Sequence, residues 1–242
     1  MLSKRPWQPE LVIMFVASLF VSICLAGIVT LWLQKCGVTA FKSPDSFPNL
    51  LLSTLSVQGV TWIFIFFFLK LHQVDWRKAF GLQNADLKKS LLLAVGVLLP
   101  TLLVVLPLQY LCAITLQRLG YQPGTQKAVE MMLTARSTGA VVYFGFFAVV
   151  IAPVAEEFIF RGMLYPFIKQ LGWPKLAWFG VSLLFAAIHA DLAIFVPLFV
   201  LASILTWLYE KTDCLLAPIL VHSLFNATNL VVLLYQMHRG NS

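Results

Sequence analysis

The feature that most constrains this chain is a series of apolar runs, several of which are long enough to cross a bilayer. A hydrocarbon core of about 30 Å needs about 20 apolar residues in a helix. Only helices or closed barrels satisfy every backbone polar group inside a membrane, and these runs lack the alternation of barrel strands. The sequence therefore predicts an all-α, polytopic membrane bundle of about seven to eight transmembrane helices. The candidate spans are 11–33, 50–71, 90–116, 139–168, 176–190, 192–209 and 214–236.

The scarcity of charge supports this prediction. Only 11% of the 242 residues are charged, while 60% are hydrophobic, and an ordinary soluble domain carries about 25% charged residues. Such a composition leaves no room for a separate soluble domain. We therefore expect a single integral membrane domain over residues 1–242, in a multi-pass protein of the plasma membrane.

The net charge of +7 raises the question of nucleic acid as a partner. Many of the positive residues lie between apolar runs, as Lys70, Arg77, Lys78, Lys88 and Lys89 do. Short cytoplasmic loops of membrane proteins carry such an excess of Lys and Arg. The charge therefore indicates topology and contact with anionic lipid of the bilayer, and no nucleic-acid partner is expected.

The N-terminal run has two interpretations. Lys4 and Arg5 precede an apolar stretch, as in a signal peptide. That stretch covers 11–33, whereas the apolar region of a signal peptide has about 7–15 residues. It is therefore predicted to be the first membrane helix. On a seven-span model with the N-terminus inside, ten Lys and Arg residues fall on the inner side and six on the outer side, with Arg161 in the apolar run, which favours this orientation.

The four cysteines give no sign of a metal knuckle or a disulfide framework. None of them shows the C-x-x-C spacing of such sites, and they are interpreted as packing residues. They are Cys24, Cys36, Cys112 and Cys214.

Three charged side chains stand out inside the apolar run 139–168. Glu157 and Arg161 are four residues apart, so they share one helical face and can pair. Glu156 is rotated by about 100° from Glu157 and remains free for other partners. Pro153 precedes the pair and is expected to kink the helix or restart it, which would turn the glutamates inward; a short span followed by an interfacial helix is the alternative.

Two later apolar segments carry histidines. His189 follows Phe185 by four residues, and His222 precedes Asn226 by four, so each pair lies on one helical face. Intramembrane ionisable residues cost several kcal/mol and mark functional sites. Three separate helices thus each offer an inward-facing polar set.

This set of residues is typical of a hydrolytic site. A glutamate can take a proton from water that an imidazole positions, and a second histidine with an asparagine amide can donate to the oxyanion. Alternatively, Glu156, His189 and His222 can hold a divalent metal, since catalytic zinc takes three protein ligands and a water. The sequence has no H-E-x-x-H motif, and spacing leaves both possibilities open.

The same residues resemble a known family. E-E-x-x-x-R at 156–161, F-x-x-x-H at 185–189 and H-x-x-x-N at 222–226 follow one another in the order of the three CPBP family signatures. This family of intramembrane proteases includes the type II CAAX prenyl endopeptidases and bacterial abortive-infection-like proteins. The resemblance covers 152–226, the expected catalytic core.

The resemblance implies a helical fold with an interior catalytic cavity and a role for each residue. Glu156 would activate water with His189, while His222 and Asn226 would bind the oxyanion. By the same resemblance Glu157 would belong to the catalytic residues, and Arg161 and Phe185 would support them. The partner would be a peptide or membrane-anchored protein, prenylated or not, and both zinc-dependent and metal-free hydrolysis stay open.

Other functions use the same residues. Glu, His and Arg groups inside a membrane also build relays in proton- or ion-coupled transporters, although the paired repeats of many transporters are not visible here. A non-catalytic scaffold or immunity protein of the same fold is the third possibility. Individually, the charges, histidines and Asn226 are also compatible with interfacial anchoring and interhelical contacts.

Overall fold

The computed structural model of the protein describes residues 2–38, 52, 55–81, 83, 86–121 and 138–240. Within these ranges the regular structure is helical and contains no strand. The α-helices are α1 (Pro9–Lys35), α2 (Val60–Leu71), α3 (Trp76–Ala79), α4 (Leu87–Arg118), α5 (Thr138–Phe146), α6 (Ala152–Glu157), α7 (Tyr165–Gln170), α8 (Pro174–Ala187), α9 (Leu192–Thr212) and α10 (Leu216–Gly240). Three π-helical segments lie at Leu55–Gly59, Phe147–Ile151 and Phe158–Leu164.

Five helical stretches in the described residues are long and apolar enough to cross a membrane. They are Pro9–Lys35, Leu87–Arg118, Val141–Gln170, Leu192–Thr212 and Leu216–Gln236. The apolar helices α2 and α8 are shorter, with 12 and 14 residues. Together these segments coincide with the seven predicted runs, except that residues 50, 51, 53 and 54 of the second run lie outside the described residues. The prediction of a polytopic helical membrane bundle is confirmed.

Local sequence signals explain several helix boundaries. Pro9 and Pro174 stand at the first positions of α1 and α8, where the missing proline N–H is not needed. Asp191 precedes α9, and its side chain accepts a hydrogen bond from the N–H of Ala193 at 2.9 Å, as a helix N-cap does. Asp213 ends α9 in the left-handed conformation, with φ of 49°.

The chain divides into two compact units, of which the first is Pro6–Trp76. It contains α1, the first π-helical segment and α2. An aromatic cluster of Trp7, Phe15, Phe68 and His72 packs these elements at ring-centroid distances between 4.2 and 5.7 Å. The His72 ring also bonds the backbone, with Nδ1 2.8 Å from the Phe68 carbonyl and Nε2 2.8 Å from the amide of Gln8.

The second unit comprises residues 1–5 and 77–242. An apolar core of this unit lies where α4, α9 and α10 meet, around the buried residues Ala94, Val105, Leu201, Leu205, Leu208, Ala217, Val221 and Phe225. The N-terminal residues join this unit through Arg5, which pairs with Asp213 at 2.6 Å. The candidate site lies entirely within the second unit, and the expectation of one domain over 1–242 stays a prediction.

Candidate active site

The helical run Val141–Gln170 carries the two glutamates, and two prolines interrupt its hydrogen bonding. Pro153 follows the π-helical segment Phe147–Ile151, and Pro166 follows the π-helical segment Phe158–Leu164. A π register changes the angular position of the residues that follow, and such segments occur frequently at functional sites. The run of 30 residues therefore continues as one helical stretch, with its glutamates between two local changes of register.

A buried charge cluster forms around Glu157. Its Oε1 lies 2.8 Å from Nη1 of Arg161 and 2.8 Å from Nδ1 of His222. Glu157 and Arg161 have no solvent-exposed side-chain area, and His222 is 3% exposed. The four-residue spacing of Glu157 and Arg161 predicted the first contact, whereas the second brings in α10 from 65 residues away. Burial of such a pair requires that nearly every charge has a partner.

Helix α9 supplies two further hydrogen-bond acceptors to the Arg161 guanidinium. Nη2 of Arg161 donates to the carbonyl of Ala202 at 3.0 Å, and Nε lies 3.4 Å from Oγ1 of Thr206. The sequence reasoning missed both residues. Thr206 carries a buried hydroxyl in an apolar helix, and a polar residue in such a helix could have indicated an interhelical contact. The carbonyl of Ala202 belongs to the backbone, so no sequence pattern could have indicated its contact.

Phe185 packs against the same cluster from α8. Its ring centroid lies 4.7 Å from the Arg161 guanidinium carbon and 5.6 Å from the His222 ring. A desolvated guanidinium over an aromatic face is attracted by the ring quadrupole. The residue predicted to support the site therefore contacts two of its charged or ionisable groups.

The hydrogen bonds of His222 define its ring orientation. Arg161 is always charged, so Glu157 opposite it is a carboxylate and accepts the proton of His222 Nδ1. The other ring nitrogen, Nε2, lies 3.8 Å from Oε2 of Glu156. Glu156 is 22% exposed, in contrast to the sealed Glu157. Glu156 is thus the more accessible of the two carboxylates.

His189 lies in the turn that follows α8, which ends at Ala187, and not within the helix as its spacing from Phe185 predicted; its side chain is half-buried. Its Nδ1 lies 2.7 Å from the carbonyl of Phe185, which can only accept, so Nδ1 carries the proton. In a neutral ring Nε2 is then an acceptor. Among the described residues, His222 is the histidine within ion-pair distance of Glu156, and neither a hydrogen bond nor an ion pair joins Glu156 to His189.

Asn226 contacts the helix of the glutamates through the backbone. Its Nδ2 donates to the carbonyl of Ala148 at 2.9 Å, across 78 residues of sequence. The amide nitrogen has two N–H groups, so one remains for another acceptor. The structure therefore brings together Glu156, Glu157, Arg161, Phe185 and His222, with Asn226 one helical turn beyond His222.

The donor set does not fit the predicted zinc site. A catalytic zinc takes three protein ligands. Of the three predicted ligands, Glu156 and His222 lie close together, whereas His189 contacts neither of them through a hydrogen bond or an ion pair in the described structure. Over residues 2–38, 52, 55–81, 83, 86–121 and 138–240, no three His, Cys, Asp or Glu side chains are grouped closely enough for metal ligation. Zinc dependence stays a prediction.

Comparison with known proteins agrees with the motif order. Residues 138–228 match the family model described as type II CAAX prenyl endopeptidase Rce1-like. Over 78 residues, or 32% of its length, the chain is 32% identical to UPF0177 protein YxdF of Lactococcus lactis subsp. lactis (strain IL1403). The alignment covers 42% of that relative, less than half of its length. No solved structure matches the chain significantly.

Proposed function

We propose that this chain is an intramembrane endopeptidase, because residues 138–228 match the family model described as type II CAAX prenyl endopeptidase Rce1-like and the three motifs resemble the same family. It hydrolyses a peptide bond in a membrane-associated peptide or protein. The main structural support for this proposal is that two adjacent glutamates differ in burial and in their partners. Glu157 is sealed in a charge cluster, whereas Glu156 is 22% exposed and faces the Nε2 of His222 at 3.8 Å.

Glu156 is the general base in this mechanism. Its carboxylate takes a proton from a water molecule as the water oxygen attacks the carbonyl carbon of the substrate. When the carbon–nitrogen bond breaks, the same proton passes to the leaving amine. General acid–base catalysis by a positioned side chain contributes about 10²–10⁴-fold to a rate.

His189 positions the water. The Phe185 carbonyl fixes the proton of the ring on Nδ1, so Nε2 presents a lone pair that accepts a hydrogen bond from water. This role requires approach of substrate or water between α8 and α6, because His189 and Glu156 make no direct contact with each other in the described structure. Catalytic hydrogen bonds of this kind often tighten only when the substrate is bound.

His222 donates to the oxyanion as an imidazolium. Its Nδ1 proton goes to Glu157, and a second proton on Nε2 then points toward the reacting carbonyl. The remaining N–H of Asn226 is the second oxyanion donor, and preorganised donors of this kind are each worth about 10²–10³-fold in rate.

Cleavage by purified protein in liposomes tests the proposal. The substrates are a prenylated CAAX peptide, the same peptide without its prenyl group, and an unprenylated peptide on a membrane anchor. We expect hydrolysis of at least one of them by the wild type, a loss of at least 100-fold in His189→Ala, and no effect of a chelator. Loss of cleavage on chelation would overturn the metal-free mechanism. Proton or ion flux without cleavage of any peptide would support a transporter instead.

A further inference from the structure

The starting observation is a carbonyl that the backbone of the glutamate-bearing helix cannot satisfy. A π-helix is defined by bonds from an N–H to the carbonyl five residues earlier, and at the end of the π-helical segment Phe147–Ile151 the N–H of Ala152 makes such a bond to the carbonyl of Phe147. The next donor in this register would be residue 153, which would bond Ala148. Residue 153 is proline and has no N–H.

Asn226 supplies the missing donor from another helix. Its Nδ2 lies 2.9 Å from the carbonyl oxygen of Ala148, within the normal range for an N–H···O hydrogen bond. Inside a membrane, an unpaired backbone carbonyl costs several kcal/mol because water is not available to replace the partner. A side-chain amide from a neighbouring helix is one of the ways in which membrane proteins satisfy carbonyls freed by proline.

We infer that Asn226 is a positioning residue, which replaces the backbone donor absent at Pro153 and thereby fixes α10 to the helix that carries the glutamates. Glu156 lies three residues after Pro153, and His222 lies one helical turn before Asn226. The bond between Asn226 and Ala148 therefore joins the two helices close to the point where Glu156 faces His222. The inference rests on the proposed function only for its activity readout.

A double-mutant cycle between Asn226 and Pro153 tests the inference. Alanine at 153 restores an N–H that can bond the Ala148 carbonyl, so the contribution of Asn226 should become redundant. Asn226→Ala is expected to lower the Tm in detergent by about 3 °C or more in the wild-type background, and by less than half as much in the Pro153→Ala background. Equal decreases of Tm in the two backgrounds would overturn the inference.

Asn229 provides a matched control on the same helix. Its Nδ2 donates to the carbonyl of Phe225 at 3.1 Å, four residues earlier within α10, so it joins no second helix. Asn229→Ala should change the Tm by less than about 1 °C and leave cleavage at the wild-type rate. A decrease as large as that of Asn226→Ala would mean that loss of any amide from α10 destabilises the protein, which contradicts the inference.

The cleavage rate gives a second measurement of the same cycle, and a further substitution at Asn226 replaces the cycle if Pro153→Ala does not fold. The kcat penalty of Asn226→Ala should be at least threefold smaller in the Pro153→Ala background, and equal penalties would count against positioning. If the wild type cleaves nothing, the proposed function fails, whereas the cycle in Tm still decides the inference. If Pro153→Ala does not fold, Asn226→Leu decides, because leucine keeps the size of the side chain but has no N–H for the Ala148 carbonyl. Its Tm should fall by about 3 °C or more, and a Tm equal to that of the wild type would overturn the inference.

Discussion

The two compact units differ in the groups that contact their histidines, half-buried His72 in the first and buried His222 in the second. In Pro6–Trp76, the ring of His72 bonds backbone groups of Phe68 and Gln8 and packs in an aromatic cluster. In the second unit, the ring of His222 bonds the carboxylate of Glu157, which in turn pairs with Arg161. A histidine that bonds two backbone groups can be explained by helix packing alone. A histidine between two glutamates belongs to a charge cluster whose burial costs free energy. Ionisable groups that are kept inside a membrane at such a cost indicate function.

Replacement of Glu157 is expected to have the largest effect on stability among the variants that distinguish the two units. Glu157→Gln leaves Arg161 charged and buried without its carboxylate, and breaking a buried pair in this way costs about 3–5 kcal/mol. We expect the Tm in detergent to fall by about 10 °C. Thermal unfolding followed by circular dichroism measures the change.

Glu10 is the matched control in the first unit. It is an exposed carboxylate in the first turn of α1, where it interacts with the helix dipole at a value of about 0.3–1 kcal/mol. Glu10→Gln should therefore lower the Tm by about 3 °C at most. Similar decreases for the two variants would remove the distinction between a charge cluster and a surface carboxylate.

Two glycines provide the next comparison. Gly81 has a φ of +71°, and an added Cβ would lie 2.8 Å from the Cα of Cys214 and 2.9 Å from the carbonyl oxygen of Asp213. Gly81→Ala should destabilise the second unit by about 1–3 kcal/mol through backbone strain alone. In α1, a Cβ on Gly27 meets nothing within 4 Å, so Gly27→Ala should leave stability unchanged or raise it by about 0.5–1 kcal/mol. Chemical denaturation of the variants measures both, and a destabilising Gly27→Ala would contradict the open surface of α1.

The smallest expected effect concerns thiol reactivity. Cys36 is exposed at the end of α1, whereas Cys214 is buried in the turn between α9 and α10. Burial raises the pKa of the Cys214 thiol, so less thiolate is present at pH 7 and alkylation is slowed further. In a Cys24→Ser, Cys112→Ser background, maleimide should label Cys36 at once and Cys214 only after unfolding.

The same reagent tests the orientation of the chain. With the N-terminus inside, Cys36 at the far end of α1 faces the outside, so a membrane-impermeant maleimide should label it in intact cells. Labelling that appears only after the cells are broken would reverse the orientation predicted from the Lys and Arg distribution.

Much of the fold was predictable because a membrane span depends on local composition. Each of the seven apolar runs corresponds to a helix, since an apolar stretch inside a bilayer has no other way to satisfy its backbone. The π-helical segments beside Pro153 and Pro166 were not predicted. The kink expected at Pro153 indicated a local change in the helix, but a proline alone does not specify that this change is a π-helical turn.

The candidate site was predictable only in its local part. The pairing of Glu157 with Arg161 followed from their spacing on one helix. The contacts of His222 with Glu157 and of Arg161 with Thr206 join different helices. They depend on how the helices are rotated and shifted against one another, which the pattern of one sequence does not specify. The shared role of His189 and Glu156 at one water molecule, which the resemblance implied, stays a prediction, and the described structure brings His222 to that carboxylate.

The most direct test of the account is the cleavage rate of Glu156→Gln relative to wild type, measured on protein whose Tm is unchanged. Because Glu156 is partly exposed and lies outside the contact of Glu157 with Arg161, this variant should fold as the wild type does. The account predicts that its kcat falls by at least 100-fold. A folded Glu156→Gln variant that cleaves at the wild-type rate would contradict the assignment of Glu156 as the general base.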